Sequence, residues 1–182
     1  MWDFIVPIQR SLNLHSYTLN VHQPATNSHL TLLRKLKMRK HRKKESLFIA
    51  EGERTVEQIL TNGHIEVEYI FMEGDADLFP GLHTNCFSLT KEQMEEASDT
   101  DSPQGVLAVC KIPDEATIQT LQEKSGIILA MDAIQDPGNL GTIYRTAAWF
   151  GVKAIILGTG TVDLYNSKVV RSTAGATGSV PI

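Results

Sequence analysis

The stretch DPGNLGTIYRTA, residues 136–147, gathers the residue types best suited to meeting a ligand. Asn139 stands where a helix N-cap belongs, and Gly138 and Gly141 clear side chains from around that helix start, so backbone N–H groups there are able to meet an anion or a ligand carboxylate. At about 100° per residue, Leu140, Ile143, Tyr144, Ala147 and Phe150 fall on one face, while Arg145 points nearly opposite and away from the core. Taken singly, these residues also read as an ordinary capping Asn and a surface Arg.

A second concentration of chemistry is electrostatic. Arg34, Lys35, Lys37, Arg39, Lys40, Arg42, Lys43 and Lys44 place eight of the 17 basic residues in one short stretch, within a chain whose formal net charge is −4 and which carries 21 acidic residues. An acidic body with one basic patch suits selective contact with a polyanion, because the body repels phosphate everywhere else. A solvated helix face of like charges is the alternative. Further on, Lys168 and Arg171, three residues apart, project together from a helix and are able to hold adjacent phosphates, or serve as a solubilising surface pair.

The elements that must position these groups are legible in outline. Residues 1–27 show no sustained period and read as an irregular extension. Leu30, Leu33 and Leu36 open a helix that runs on into the basic stretch, and LFIA at 47–50 is a short buried strand. Val56, Ile59 and Leu60 form the stripe of a second helix ended by Gly63. Ile65, Val67 and Tyr69 alternate as in a half-buried strand. CFSL is another strand, TKEQMEEA opens with Thr90 and Gln93 in capping-box spacing, and GVLAVCKI closes the unit before Pro113. Residues 114–125 read as a connecting helix or linker. IILAMD, a loop, the helix TIYRTAAWFG and AIIL then make a βαβ unit of a parallel sheet, followed by a helix through VDLYNSKVVRSTAGA and the start of a third strand at Val180.

Other chemistries are poorly provided for. Cys86 and Cys110 lie far apart with no metal-ligand spacing around them, which fits a reducing compartment. No apolar run approaches the length of a membrane span, no basic secretory leader opens the chain, and the cytoplasm is the expected location. The dinucleotide and P-loop glycine fingerprints do not occur, and GTGTVD at 158–163 reads as a connection.

MDAIQDPGNLGTIYRTAAWFGVKAIIL resembles, residue after residue, the first motif of the SpoU (TrmH-like) RNA methyltransferases, Asn-x-Gly-x-x-x-Arg at the end of a buried strand. LYNSKVVRSTAGATGSVPI resembles the next family block, in which a Lys and an Arg (here Lys168 and Arg171) precede a run of small residues. FIAEGERTVEQIL and SDTDSPQGVLAVC resemble the family's N-terminal substrate-binding domain. The resemblance runs from about residue 28 to the end. It implies an α/β chain in which a small ribosomal-protein-like RNA-binding domain (28–113) and a linker (114–125) precede the first half of a parallel-sheet SPOUT, or trefoil-knot, methyltransferase domain (126–182).

The activity so implied is transfer of a methyl group from S-adenosylmethionine to a ribose 2′-hydroxyl of ribosomal or transfer RNA, in a homodimer, without a metal. Asn139 and Arg145 match the motif residues placed at the reaction. A guanidinium is too weak an acid to serve as a base at neutral pH, so Arg145 is expected to bind phosphate and stabilise the developing alkoxide, with Asn139 orienting Arg145 or the ribose. The basic stretch, Lys168 and Arg171 are the expected RNA contacts. Family members continue with Gly-x-Glu-x-x-Gly and Ser-Leu-Asn segments that form most of the cofactor pocket. Neither follows the 168–175 block here, so the knot is expected to be incomplete, cofactor-binding residues are not identified, and the chain by itself is expected to be inactive. A stand-alone RNA-binding module is the alternative.

Overall fold

Four of the six described helices start at a side chain that satisfies a backbone N–H group. Thr26 accepts from His29 N and its own N–H donates to His29 Nδ1 at 3.3 Å, opening α1 (Asn27–Leu36). Thr90 and Gln93 make the same reciprocal arrangement at α4 (Lys91–Ala97), as their spacing predicts. The computed structural model describes residues 22–74, 79, 85–117, 119 and 125–182. Most of the extension read over 1–27, and the core of the linker read over 114–125, lie outside the described residues.

The single helix expected through the basic stretch is two. Met38 is extended, with φ −97° and ψ 129°, and separates α1 from α2 (Arg39–Glu45), which ends on Ser46 in the left-handed region. The break has a physical cause in Arg42, whose Nη1 donates to Leu36 O and Lys37 O, both at 2.8 Å. It thereby serves carbonyls that the end of α1 leaves without helical partners.

Strands β1 (Gln23–Pro24), β2 (Leu47–Glu51), β3 (Val67–Glu73), β4 (Asn85–Leu89) and β5 (Val106–Lys111) form one sheet in the order β1-β4-β3-β5-β2. β3 pairs parallel with β4, and β5 is antiparallel to both β3 and β2. Gln23 and Pro24, inside the stretch read as irregular, pair parallel with Phe87 and Ser88. β3 is not half-buried as its alternation suggests. It is central, and helices cover both faces: Ile70 and Met72 pack with α3 (Glu53–Asn62) through Val56 and Ile59, while Phe71 packs with Leu33 and Leu36 of α1 and Met94 of α4. A strand covered on both sides loses its polar alternation, here interrupted further by a register shift between Val67 and Tyr69.

The C-terminal region holds the predicted βαβ unit. β6 (Ile128–Met131) and β7 (Ala154–Leu157) pair in parallel, joined by α5 (Pro137–Trp149). Leu140, Tyr144 and Ala147 of α5 cover the face carrying Met131 and Ile155. Phe150, placed by periodicity on this stripe, is 76% exposed, because the helix ends at Trp149 and the cap residue leaves the face. The third strand expected from Val180 is not formed among the described residues: the sheet has two strands, and the chain end makes a backbone contact there, Ile155 N donating to Pro181 O at 2.9 Å. α6 (Ser167–Ser172) precedes it and lies against β2, so that its Val170 is buried among Phe48, Ala50 and Val56 of the N-terminal region.

Candidate functional site

α5 starts earlier than periodicity suggests. Asp136 is its N-cap, its Oδ1 accepting from Asn139 N at 2.7 Å, and Pro137 is the first helical residue. Asn139 is therefore not the cap but the third residue of the helix, and Asp-Pro at 136–137 is the signal for it. This placement frees the Asn139 amide. Its side chain is exposed and without a hydrogen-bond partner among the described residues, as is the exposed guanidinium of Arg145. No hydrogen bond joins the two, which stand about 9 Å apart along the helix axis. Asn139, Thr142 and Arg145 follow one another at three-residue steps, and Thr142 is exposed between them.

Beside this helix start lies an open groove of about 350 Å³, bounded by the 133–136 loop and by Asn139, Thr142 and Ile143. Ala133 sits at φ 53°, a conformation that a side chain disfavours. Its neighbour Ile134 is held by Val162 N, which donates to Ile134 O at 2.8 Å. Gly141 is not part of an anion-binding helix start either. It faces α6, where a Cβ would overlap Ser172 and stand 2.8 Å from Val169 O, so this glycine lets the two helices touch. The buried hydroxyl of Tyr144 accepts from Gly178 N and Val180 N and donates to Val180 O at 2.8 Å, and burial raises its pKa.

The eight cations of the basic stretch divide sharply. Arg42 is withdrawn from any RNA-facing set: only 5% exposed, it pairs with Asp163 through Nη2 at 2.5 Å and Nε at 2.9 Å. Arg34 is engaged by both carboxylate oxygens of Glu96 at 2.6 and 2.9 Å, which raises its pKa and lowers that of Glu96. Lys37 donates to Glu96 O and Ser98 O. Lys35, Arg39, Lys40 and Lys43 are exposed with no ion pair among the described residues, and exposed Lys44 has only a 3.9 Å contact with Glu45. The free charge thus runs along one side of α2 and the end of α1.

Lys168 and Arg171 are not a phosphate-holding pair. Lys168 is exposed, but Arg171 turns inward and donates to Glu51 Oε2 at 3.0 Å. Glu51 is 3% exposed and accepts from the Ser98 hydroxyl, from Thr100 Oγ1 at 2.6 Å and from Asp99 N at 3.2 Å. Asp163 and Glu51 carry no local signature. Asp163 lies in the segment read as a connection, and its partner is 121 positions away.

Residues 126–182 match the SpoU rRNA Methylase family, and residues 27–108 match the MRM3-like substrate binding domain. Residues 126–182 belong to the SpoU rRNA methylase family. The chain's relatives include the 23S rRNA (guanosine(2553)-2′-O)-methyltransferase RlmP of Bacillus subtilis, 35% identical over 88% of this chain and 63% of that protein. A putative RNA methyltransferase of the TrmH family from Porphyromonas gingivalis superposes with a TM-score of 0.73 at 30% identity, over 86% of this chain and 61% of that one. An AdoMet-bound rRNA methyltransferase from Sinorhizobium meliloti gives 0.69 at 27% identity, over 88% and 62%. The chain thus spans somewhat less than two thirds of these SpoU-family proteins. Among its described residues no helix is long and apolar enough to cross a membrane.

Proposed function

We propose that this chain forms the RNA-holding and ribose-orienting part of an RNA ribose 2′-O-methyltransferase acting on ribosomal RNA in the cytoplasm, with S-adenosylmethionine as methyl donor. The observation that carries the reading is the combination, in one chain with a SpoU-family region, of Asn139 and Arg145 on α5, without partners among the described residues, and an exposed row of cations on α2. S-adenosylmethionine supplies an activated methyl group. The described residues do not by themselves fit it: the groove at Asn139 is open, and its residues make one wall rather than a pocket. What they do provide is orientation. Arg145 offers a planar, permanently charged fork to a phosphate and to negative charge growing on the ribose oxygen, and Asn139 offers two donors and an acceptor at the groove edge. Lys35, Arg39, Lys40, Lys43 and Lys44 hold the RNA backbone, with exposed Lys168 on α6 as a further cation for phosphate. Pairing of two copies, implied by the family resemblance, belongs to the same proposal and is supported by the exposure of Trp149 and Phe150 at the end of α5. Sedimentation velocity of the purified protein, giving a monomer or a dimer mass, tests that part.

The deciding experiment is labelled-methyl incorporation into ribosomal RNA by a family-length protein containing this sequence. Arg145→Ala is expected to lower the rate by about a hundredfold or more with the fold unchanged, because an exposed, unpaired side chain adds little to stability. Incorporation at the parent rate rejects the assignment. An RNA-binding reading, favoured for this chain alone by the open groove, separates from it by titration of the 182-residue chain. Lys40, Lys43 and Lys44 changed together to Gln should flatten the slope of log K against log salt by roughly 0.7 for each single-strand phosphate that the variant no longer neutralises.

A further inference from the structure

Among the described residues, three connections between side chains bind the N-terminal region to the C-terminal one. The first joins Arg42 of α2 to Asp163, both largely buried, with side-chain exposures of 6% and 17%. The second is centred on Glu51 at the end of β2, whose buried carboxylate takes up donors from the 98–100 turn on one side and from Arg171 of α6 on the other. In the third, the Ser167 hydroxyl donates to Asp99 at 2.6 Å. Backbone fit reinforces them: Asn62 Nδ2 donates to Gly175 O at 3.0 Å, and a Cβ on Gly175, which has φ +86°, would overlap Gln58 of α3. Charged groups this well buried hold fixed geometry, since leaving either partner unpaired is strongly unfavourable.

The connections also run toward both halves of the proposed site. Arg42 lies in the helix whose outer side carries Arg39, Lys40, Lys43 and Lys44. Asp163 follows Val162, which holds the Ile134 carbonyl in the wall of the groove beside Asn139. We propose that Arg42–Asp163 and Glu51–Arg171 form a clasp that holds the substrate-binding domain at one fixed angle on the methyltransferase region, making these four residues positioning residues that set where RNA held by α2 presents its ribose to α5. The fixed angle stands on the contacts alone, while its use in methyl transfer rests on the proposed function.

The test measures the angle without RNA or methyl donor. Nitroxide labels are placed at Glu95→Cys in α4 and Thr146→Cys in α5, both exposed in the parent, with Cys86→Ala removing the accessible native thiol. Cys110 is buried with its thiol pKa pushed up, so it does not take the label. Pulsed dipolar spectroscopy of the 182-residue chain is expected to give a single narrow distance distribution. Asp163→Asn with Arg171→Gln should widen it at least twofold, and Arg171→Lys alone should keep it narrow. Amide exchange at Ile70 and Ala108, in the middle of the five-stranded sheet, should stay unchanged. Arg171→Gln alone, which leaves the other three donors to Glu51 in place, should widen the distribution without unfolding either region. A broad distribution in the parent overturns the clasp, and so do variants as narrow as the parent. Widening accompanied by reduced protection at Ile70 and Ala108 also overturns it, because the pairs would then support the domain itself. Failure here leaves the Arg145 assignment standing, and failure of Arg145→Ala leaves the clasp standing.

Discussion

The two regions of this chain solve the same packing problem to different degrees. In the N-terminal region a five-stranded sheet has α3 on one face and α1 with α4 on the other, and β3 and β5 are buried throughout their centres. In the C-terminal region two strands are covered by α5 on one face only. Ile128 and Ile156 on the other face are 43% and 52% exposed, although parallel strands are ordinarily covered on both sides. A two-stranded unit is marginal by itself. Here part of its support comes from the neighbour, through Val170 in the N-terminal core and through the buried pairs of Arg42 and Glu51. A region with its own core can spend its surface on ligands, whereas one without it uses polar side chains for attachment. Attachment draws Arg42 inward to Asp163 while the adjacent Lys43, alike in charge, stays exposed.

The contrast is broken most directly at Arg42. Arg42→Ala strands Asp163 and two helix-end carbonyls, and is expected to destabilise the chain by about 3–5 kcal/mol in urea unfolding, against about 0.5 kcal/mol or less for Lys43→Ala. Equal effects from the two variants would erase the distinction drawn between buried attachment and free surface. A smaller effect should be confined to the C-terminal region. Tyr144→Phe leaves two amides and a carbonyl around Gly178 and Val180 without their partner, a change of about 1–3 kcal/mol. Amide exchange should rise across 178–182 and not in the five-stranded sheet, and protection falling in both regions together would show that they unfold as one unit.

The smallest effect belongs to an exposed pair within the N-terminal region. Arg34 holds the Glu96 carboxyl below its ordinary value near 4.5. The pair's contribution is therefore whole above that value and fades as pH falls through the lowered folded value. Arg34→Gln should shift the urea midpoint slightly at pH 7 and not at all in strong acid. A shift that grows in acid would reverse the sign of this coupling.

Local signals carried most of the elements and the exposure of Arg145 at the candidate site. The Thr90 capping box, the Gly63 terminator and the buried LFIA strand are statements about neighbouring residues, and each appears where the spacing places it. Arg145 is exposed because helix geometry alone decides its direction. The start of α5 is equally legible in Asp136 and Pro137, but the glycines on either side of Asn139 imitate a helix start one turn too late. Arg42, Arg171 and β3 are not legible for a different reason. Charge says that an arginine needs a partner and not whether that partner is phosphate or a carboxylate 121 residues away. Likewise Phe71 and Met72, on opposite faces of one strand, become jointly buried only when two helical layers close over them.

The span between Arg42 and Asp163 also orders events on the ribosome. Every strand of the five-stranded sheet has been synthesised by Lys111, so that sheet is able to close while the chain is still growing. The final seat of α2 must wait for residue 163, because the carboxylate that neutralises Arg42 does not yet exist. During that interval the nascent chain carries one more unpaired cation in the stretch proposed to hold RNA, beside the polyanionic surface of the ribosome itself, and the last ligand of Arg42 decides when this extra charge disappears.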